Sequence, residues 1–217
     1  MVAAASPPRL RDGQWLHLGS LALLLALAGF AWERLGRPFP LAFWIAVAIP
    51  ILHQAFVWLA WRIELRSGAT SRTLGFRGYV VVFFVLFFGR FVAALVLAWL
   101  DRESLGIPLL PRALLTVLLA VPALYAGYSV RRYFGMIRAA GADHFDPRYR
   151  EMPLVKEGLF RFTDNAMYVY AFLSFWAVAV AFDSSAALVL AAFSHAYIWV
   201  HFFATERPDM RFLHAGA

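Results

Sequence analysis

The sequence predicts an all-α membrane protein, a polytopic bundle of about six transmembrane helices. Hydrophobic residues make up 62% of the 217 residues and charged residues only 15%, whereas a soluble domain is roughly half apolar and a quarter charged. The mean hydropathy is +0.67. The apolar residues are also grouped in blocks long enough to cross a bilayer, which takes about 20 residues. Since the backbone must satisfy its own hydrogen bonds in lipid, these blocks predict helices.

Six blocks with few or no charges give the predicted spans: 15–33, 42–61, 79–99, 109–130, 166–182 and 185–204. The segment before the first span lacks the basic region and cleavage site of a signal peptide, so we expect it to be a cytoplasmic lead-in. Pro50 and Pro122 fall inside the second and fourth spans, where each frees a helix carbonyl. The absence of cysteine and of internal repeats predicts one integral membrane domain, residues 1–217.

The distribution of basic residues predicts the orientation of the bundle. With the N-terminus inside, 15 of the 20 Lys and Arg fall on the cytoplasmic side and four on the opposite side, while Arg90 lies within a span. This asymmetry is typical of the positive-inside rule, so both termini are predicted to be cytoplasmic. It also suits contact with the anionic lipid of the bilayer, and we expect no nucleic-acid partner.

The longest hydrophilic stretch, residues 141–165, indicates where a functional site would lie. A loop of about 25 residues without its own structure is uncommon and tends to be functional. The last two spans are joined only by "FDSSA", with Ser184 or Ser185 available as the N-cap of the last helix. The end of the last span therefore returns beside the start of the fifth, and we expect the site where both meet the loop.

Several common chemistries are disfavoured by the sequence. No GxG, GxxxxGK[ST] or GxSxG pattern occurs. His195 and His201 are six residues apart, so on a helix they point about 120° apart, and no metal site is predicted. Arg90 is a functional candidate because it is ionisable within a span, although a polar neighbour such as Gln54 would explain it equally well.

Three pieces of the second half of the chain occur in the order found in a known superfamily. "RAAG" (138–141) precedes the loop, "PLVKEGLFRFTDNAMYVYAFL" (153–173) enters the fifth span, and "TERPDM" (205–210) ends the last helix. Together they resemble the integral-membrane methyltransferases, the superfamily of isoprenylcysteine carboxyl methyltransferase and phosphatidylethanolamine N-methyltransferase. The resemblance covers residues 120–212, the cofactor-binding half that it implies, and leaves 1–119 as N-terminal helices.

The resemblance implies S-adenosylmethionine as cofactor and methyl transfer to a lipid or lipophilic acceptor. Where the superfamily has Arg-His-Pro, this chain has Asp164, Asn165 and Ala166, and Glu206 is followed by Arg207 rather than a second acid. The departure leaves open either another mode of cofactor binding or a lost methyl-transfer site.

The candidate site residues follow from the chemistry of this cofactor. Glu206 would pair with its ammonium, and Arg161 or Lys156 with its carboxylate. The aromatic residues Phe160, Tyr168 and Trp199 would face its sulfonium. Asn165 would contact the adenine or cap the fifth span, and Gly158 begins the segment that matches Gly-Pro-Tyr in the superfamily. An acceptor that sheds a proton needs a base, for which the candidates are His144, Asp143 and His201.

Two other functions remain open from the sequence. A membrane reductase of the sterol or steroid type would bind NADPH, with basic side chains available at Arg131, Arg132, Arg148 and Arg150. A non-catalytic protein would use a retired pocket to bind lipid or a membrane partner. The sequence leaves open the acceptor atom and the oligomeric state.

Overall fold

The computed structural model describes residues 6–214, and within that range the chain is helical without any strand, as predicted. Its α-helices in chain order are α1 (Gln14–Arg34), α2 (Pro40–Ser67), α3 (Ala69–Thr73), α4 (Gly75–Leu100), α5 (Leu109–Ser129), α6 (Met136–Ala139), α7 (Pro147–Arg150), α8 (Leu173–Ala181), α9 (Ser185–His201) and α10 (Arg207–Leu213). Three π-helical turns extend these helices, at Val130–Phe134, Met167–Ala171 and Phe202–Glu206. Short 3₁₀ turns lie at Ala142–His144 and Gly158–Arg161.

Five helical runs in the described residues are long and apolar enough to cross a membrane: α1, α2, α4, Leu109–Phe134 and Ser185–Leu213. The fifth predicted span, 166–182, is a shorter apolar helix, Met167–Ala181. At about 1.5 Å per residue it reaches only some 22 Å, less than the roughly 30 Å of a hydrocarbon core. It ends early because the chain turns at Asp183, whose φ is 56°.

The ends of the long helices follow from local sequence. α2 begins with Pro40, whose fixed φ and missing N–H suit the first turn of a helix. It ends at Gly68, which adopts the left-handed conformation of a helix C-cap. Ser184 caps α9 by accepting a hydrogen bond from the backbone N–H of Ala187 at 3.1 Å, which confirms the predicted N-cap.

Helix α9 forms the centre of the bundle. It packs against α1, α2, α4 and α8, and its buried face carries Leu190, Phe193 and Tyr197 into the main hydrophobic core. The outer faces of α4 and α5 remain apolar and exposed, for example at Val85 and Leu118. Apolar side chains that face outward along whole helices are those that lipid would cover.

The two ends of the bundle differ in character. At one end Asp101 accepts hydrogen bonds from Ser184 Oγ and from the N–H of Ala186, both at 2.8 Å, which ties α4 to the turn before α9. The other end, which we call the basic end, carries residues 6–13, α3, the 135–165 loop and α10. The predicted site residues all belong to the basic end or to the helical turns next to it.

Candidate functional site at the basic end

Three helices widen into π-helical turns at the basic end. These turns extend the end of α5, precede α8, and join α9 to α10. π-helical turns are rare and frequently occur at functional sites, since the extra residue redirects side chains from the regular helical positions. Tyr168 lies on the second of these turns and Glu206 on the third.

Tyr168, Trp199 and Glu206 meet between α8 and α9, and we call them the acid–aromatic group. The Tyr168 hydroxyl donates a hydrogen bond to Glu206 Oε2. The rings of Tyr168 and Trp199 meet edge to face, with centroids 5.8 Å apart. The structure thus brings together three of the seven residues predicted to bind the cofactor, one acidic and two aromatic.

A buried cluster of charged groups lies beside the acid–aromatic group. Arg62 of α2 and Asp209 of α10 form an ion pair with Nε and Oδ1 2.6 Å apart, and both side chains are 0% exposed. The contact is close but poorly aligned for a hydrogen bond. His144 lies between two acids: its Nδ1 is 2.9 Å from Asp143 Oδ1, and its Nε2 is 3.5 Å from Asp209 Oδ2. Asp143, His144 and Asp209 are close enough to Glu206 to influence the electrostatic environment of its carboxyl group.

Helix α2 also holds the start of the 135–165 loop. The indole ring of Trp61 stacks on His144 with centroids 3.9 Å apart, and its N–H donates to the Tyr79 hydroxyl at 2.8 Å. Tyr79 in turn donates to the carbonyl of Ala140 at 2.7 Å. Gly141 has a φ of 83°, and any Cβ there would overlap the Trp61 ring. The loop therefore needs a glycine at this position to approach α2 so closely.

The environment fixes the ionisation of the Asp143 and His144 pair. Burial by itself would raise the pKa of Asp143, but the hydrogen bond from His144 and the nearby cationic charges hold it below its ordinary value. Burial favours the neutral imidazole of His144, yet the hydrogen bond to Asp143 and the nearby charges of Asp143 and Asp209 hold its pKa above its ordinary value. Asp143 and His144 thus each favour the charged form of the other.

The third predicted base, His201, has different surroundings. It is 2% exposed, and neither ring nitrogen has a hydrogen-bond partner among the described residues. Its ring lies 5.7 Å from that of Trp61 and 6.4 Å from that of His17, centroid to centroid. His17 is itself bonded to the Tyr197 hydroxyl at 2.7 Å. The ring nitrogens of His201 thus lack hydrogen bonds among the described residues, whereas Nδ1 of His144 is bonded to Asp143.

Arg90 is buried deeper in the bundle, away from water. Its guanidinium lies over the rings of Phe172 and Phe175, at 5.0 and 5.7 Å from their centroids. Its Nη1 is 3.4 Å from Nδ1 of His53, so the polar neighbour is His53 and not the Gln54 suggested by the sequence. A guanidinium is held favourably over aromatic faces where water is excluded.

Gly158 and Phe160 belong to a separate packing cluster at the end of α5. Gly158 has a φ of 59°, and a Cβ there would press on the Ser129 side chain, whose hydroxyl accepts a hydrogen bond from the N–H of Leu159. Phe160 is buried and stacks on Phe134, with centroids 5.1 Å apart. Both residues hold the loop on α5, and neither is part of the acid–aromatic group.

The remaining predicted residues lie on the outer part of the loop. Arg161 is exposed, with its guanidinium 4.7 Å above the ring of Phe162. Lys156 pairs with Asp164 at 2.8 Å, and both side chains are more than half exposed. The carbonyl of Asn165 accepts the N–H groups of Tyr168 and Val169, at the start of the π-helical turn before α8.

Two of the four arginines suggested for NADPH have local partners. Arg148 pairs with Asp146 at 2.7 Å. Arg150 donates to the carbonyls of Asp143 and His144, at 2.6 and 3.3 Å. These contacts stabilise the loop and occupy groups that the reductase interpretation needs for a phosphate.

The fold and the site define a class, that of helical membrane proteins with a polar site built by the last helical hairpin and the loop before it. Comparison with protein families then gives a closer identification: residues 111–215 match the phospholipid methyltransferase (PEMT) family model. This match confirms the predicted resemblance to the membrane methyltransferase superfamily. No curated protein and no solved structure matches the chain.

Sequence reasoning missed Arg62 and Asp209. Asp209 lies within the quoted "TERPDM" but received no role, and Arg62 was counted only as a cytoplasmic charge. The only sequence signal for either is an acid and a base close to the ends of two apolar runs.

Proposed function

We propose that the protein transfers a methyl group from S-adenosylmethionine to a lipid or lipophilic acceptor at the cytoplasmic face of a membrane. The observation that carries the proposal is the acid–aromatic group, which lies within the half that matches the phospholipid methyltransferase family. The 15 to 4 distribution of basic residues supports placing the basic end in the cytoplasm, where the cofactor is available.

The acid–aromatic group suits the cationic part of S-adenosylmethionine. Glu206 would hold the ammonium, and the ring faces of Tyr168 and Trp199 would attract the sulfonium by about 0.5–2 kcal/mol. The Tyr168 hydroxyl fixes the orientation of Glu206. When bound, the cofactor supplies a methyl group on a positively charged sulfur.

The other cofactor contacts proposed from the sequence lie on the loop. We assign the carboxylate to Arg161 rather than Lys156, because Lys156 is already paired with Asp164. Gly158 and Phe160 would act indirectly, by fixing the loop on α5. Asn165 organises the first turn before α8 and lies at the edge of the site proposed for the adenine.

His201 is the proposed base for an acceptor that loses a proton. Its ring nitrogens have no partner among residues 6–214, and it precedes by one residue the turn that carries Glu206. Asp143 and His144 are bonded to one another, and this bond would fix the position of the Asp143 carboxylate near Glu206. Exclusion of water and correct positioning account for most of the rate enhancement in such a transfer, since the methyl carbon is already activated.

Isothermal calorimetry on the detergent-solubilised protein tests the proposal. We expect S-adenosylhomocysteine to bind, and Glu206→Gln to weaken it at least tenfold, or about 1.4 kcal/mol. Glu157→Gln is the matched control, because Glu157 is an exposed acid on the 135–165 loop and outside the acid–aromatic group. Transfer of labelled methyl groups into a lipid extract then identifies the acceptor. Binding of NADPH alone would move the protein to the reductases, and binding of neither would refute a cofactor site.

A further inference from the structure

A notch of about 600 Å³ lies at the basic end, between the start of α1 and the end of α2. It is lined by three arginines, Arg9, Arg11 and Arg66, and by the indole rings of Trp15 and Trp58. The notch is separate from the acid–aromatic group, and none of its lining residues is among the predicted site residues.

The charge of the notch is uncompensated. No carboxylate lines it, and none of its three arginines forms an ion pair among the described residues. Asp12, the acid nearest in sequence, accepts the backbone N–H of Arg9 at 2.7 Å and does not line the notch. Three arginines line one open space without an acid, and arginine binds a phosphate through two parallel hydrogen bonds.

Hydrogen bonds join the walls of the notch, and one wall carries exposed apolar side chains. The Trp58 indole donates to the carbonyl of Leu10 at 2.9 Å, and the buried Arg62 donates to the carbonyl of Arg9 at 2.5 Å. Trp15 is 84% exposed and Leu18 is 56% exposed, which is costly in water but suits the region of lipid headgroups and upper acyl chains. The arginines at the floor of the notch and the apolar wall with its tryptophan together fit an amphiphile better than a free ion.

We infer that this notch binds the headgroup of an anionic phospholipid from the leaflet at the basic end, as a bound lipid distinct from the methyl acceptor. The phosphate would lie among Arg9, Arg11 and Arg66, and an acyl chain would pass along Trp15 and Leu18. The site is joined to the cofactor region, because Gln14 donates to Thr205 Oγ1, next to Glu206, at 3.4 Å. A Cβ at Gly13 would also overlap the carbonyl of Ala204, so the two segments are in close contact.

Native mass spectrometry of the full-length protein in detergent tests the inference. The protein is titrated with phosphatidylglycerol, with zwitterionic phosphatidylcholine and with inorganic phosphate. Arg11→Gln/Arg66→Gln is compared with the control Arg72→Gln/Arg77→Gln, which removes two exposed arginines elsewhere at the basic end. We expect phosphatidylglycerol to bind to the wild type, and the notch variant to bind it about thirtyfold more weakly, as two surface arginines imply.

The outcomes separate a lipid site from general attraction to a basic surface. If both double variants lose affinity equally, the binding is diffuse and the inference fails. The inference also fails if the wild type binds phosphatidylcholine as tightly as phosphatidylglycerol. If inorganic phosphate binds at the notch and phosphatidylglycerol does not, the notch is an anion site and the lipid assignment is wrong. These measurements do not depend on methyl transfer, so they can fail or succeed separately from the proposed function.

Discussion

The buried pair of Arg62 and Asp209 offers the sharpest test of how the fold holds its site. Replacing Arg62 by Met removes the cation and leaves the Asp209 carboxylate, 0% exposed, with only His144 at 3.5 Å. Removing one partner of a buried ion pair costs about 3–5 kcal/mol, because the remaining charge is uncompensated. For a chain of this size that corresponds to a fall in Tm of about 6–20 °C.

The comparison variants isolate the pair from other effects. Arg66→Met lies one turn further along α2 on the exposed surface, so we expect a change within about 0.5 kcal/mol. Arg62→Met/Asp209→Leu removes both charges, and replacing a whole buried pair by apolar groups is often neutral. We therefore expect the double variant to recover most of the lost stability. Since Arg62 also donates to the carbonyl of Arg9, about 0.5–1.5 kcal/mol should remain lost.

Thermal unfolding in detergent, followed by circular dichroism, measures the wild type, these three variants and the single variant Asp209→Leu under one condition. The double-mutant cycle gives the interaction free energy between the two positions. The reasoning is refuted if Arg62→Met is no less stable than Arg66→Met. It is refuted equally if the double variant is as unstable as the sum of the two single variants.

Three further predictions address the site and its loop. Tyr168→Phe removes the hydroxyl that binds Glu206, and we expect calorimetry to show about tenfold weaker S-adenosylhomocysteine binding, with Tyr170→Phe as a control that changes little. The raised pKa of His144 contributes stability that is complete below its ordinary value near 6.5 and is lost as the pH rises through the raised value. The Tm should therefore fall as the pH rises above about 6.5, and less so in His144→Gln. Gly141→Ala should cost about 2–4 kcal/mol through its positive φ and overlap with Trp61, and denaturation should show a smaller loss for Gly36→Ala, where φ is 81° but no atom is close.

The sequence predicted the membrane bundle well because each span is a local property. An apolar run of sufficient length is a helix in lipid whatever its neighbours are, and five of six predicted runs have that length in the structure. The turn at Ser184 was also predictable, since a serine before an apolar helix satisfies its first N–H groups. The short length of the helix that ends at Ala181 was not predictable from the sequence. It depends on where the chain meets the polar cluster around Asp101 and Asp183.

The site was predictable only in part, for a similar reason. Tyr168 and Glu206 lie at the same end of two antiparallel helices joined by a tight turn, so topology alone places them near one another. Phe160 is of a residue type that often lines pockets, but here it packs in a hydrophobic core. The sequence does not distinguish these two roles for an aromatic residue. The π-helical turns that orient the side chains of Tyr168 and Glu206 have no recognisable signal in the sequence.

The contacts of α2 change what the family match means for this chain. The match begins at residue 111, yet Asp209 and His144, both within it, take their ion-pair and stacking partners, Arg62 and Trp61, from outside it. Without α2 the buried Asp209 carboxylate would keep only His144, 3.5 Å away, at a cost of several kcal/mol. The first half of the chain is therefore part of the site's supporting structure, and the matched half depends on it for the charge balance around Glu206.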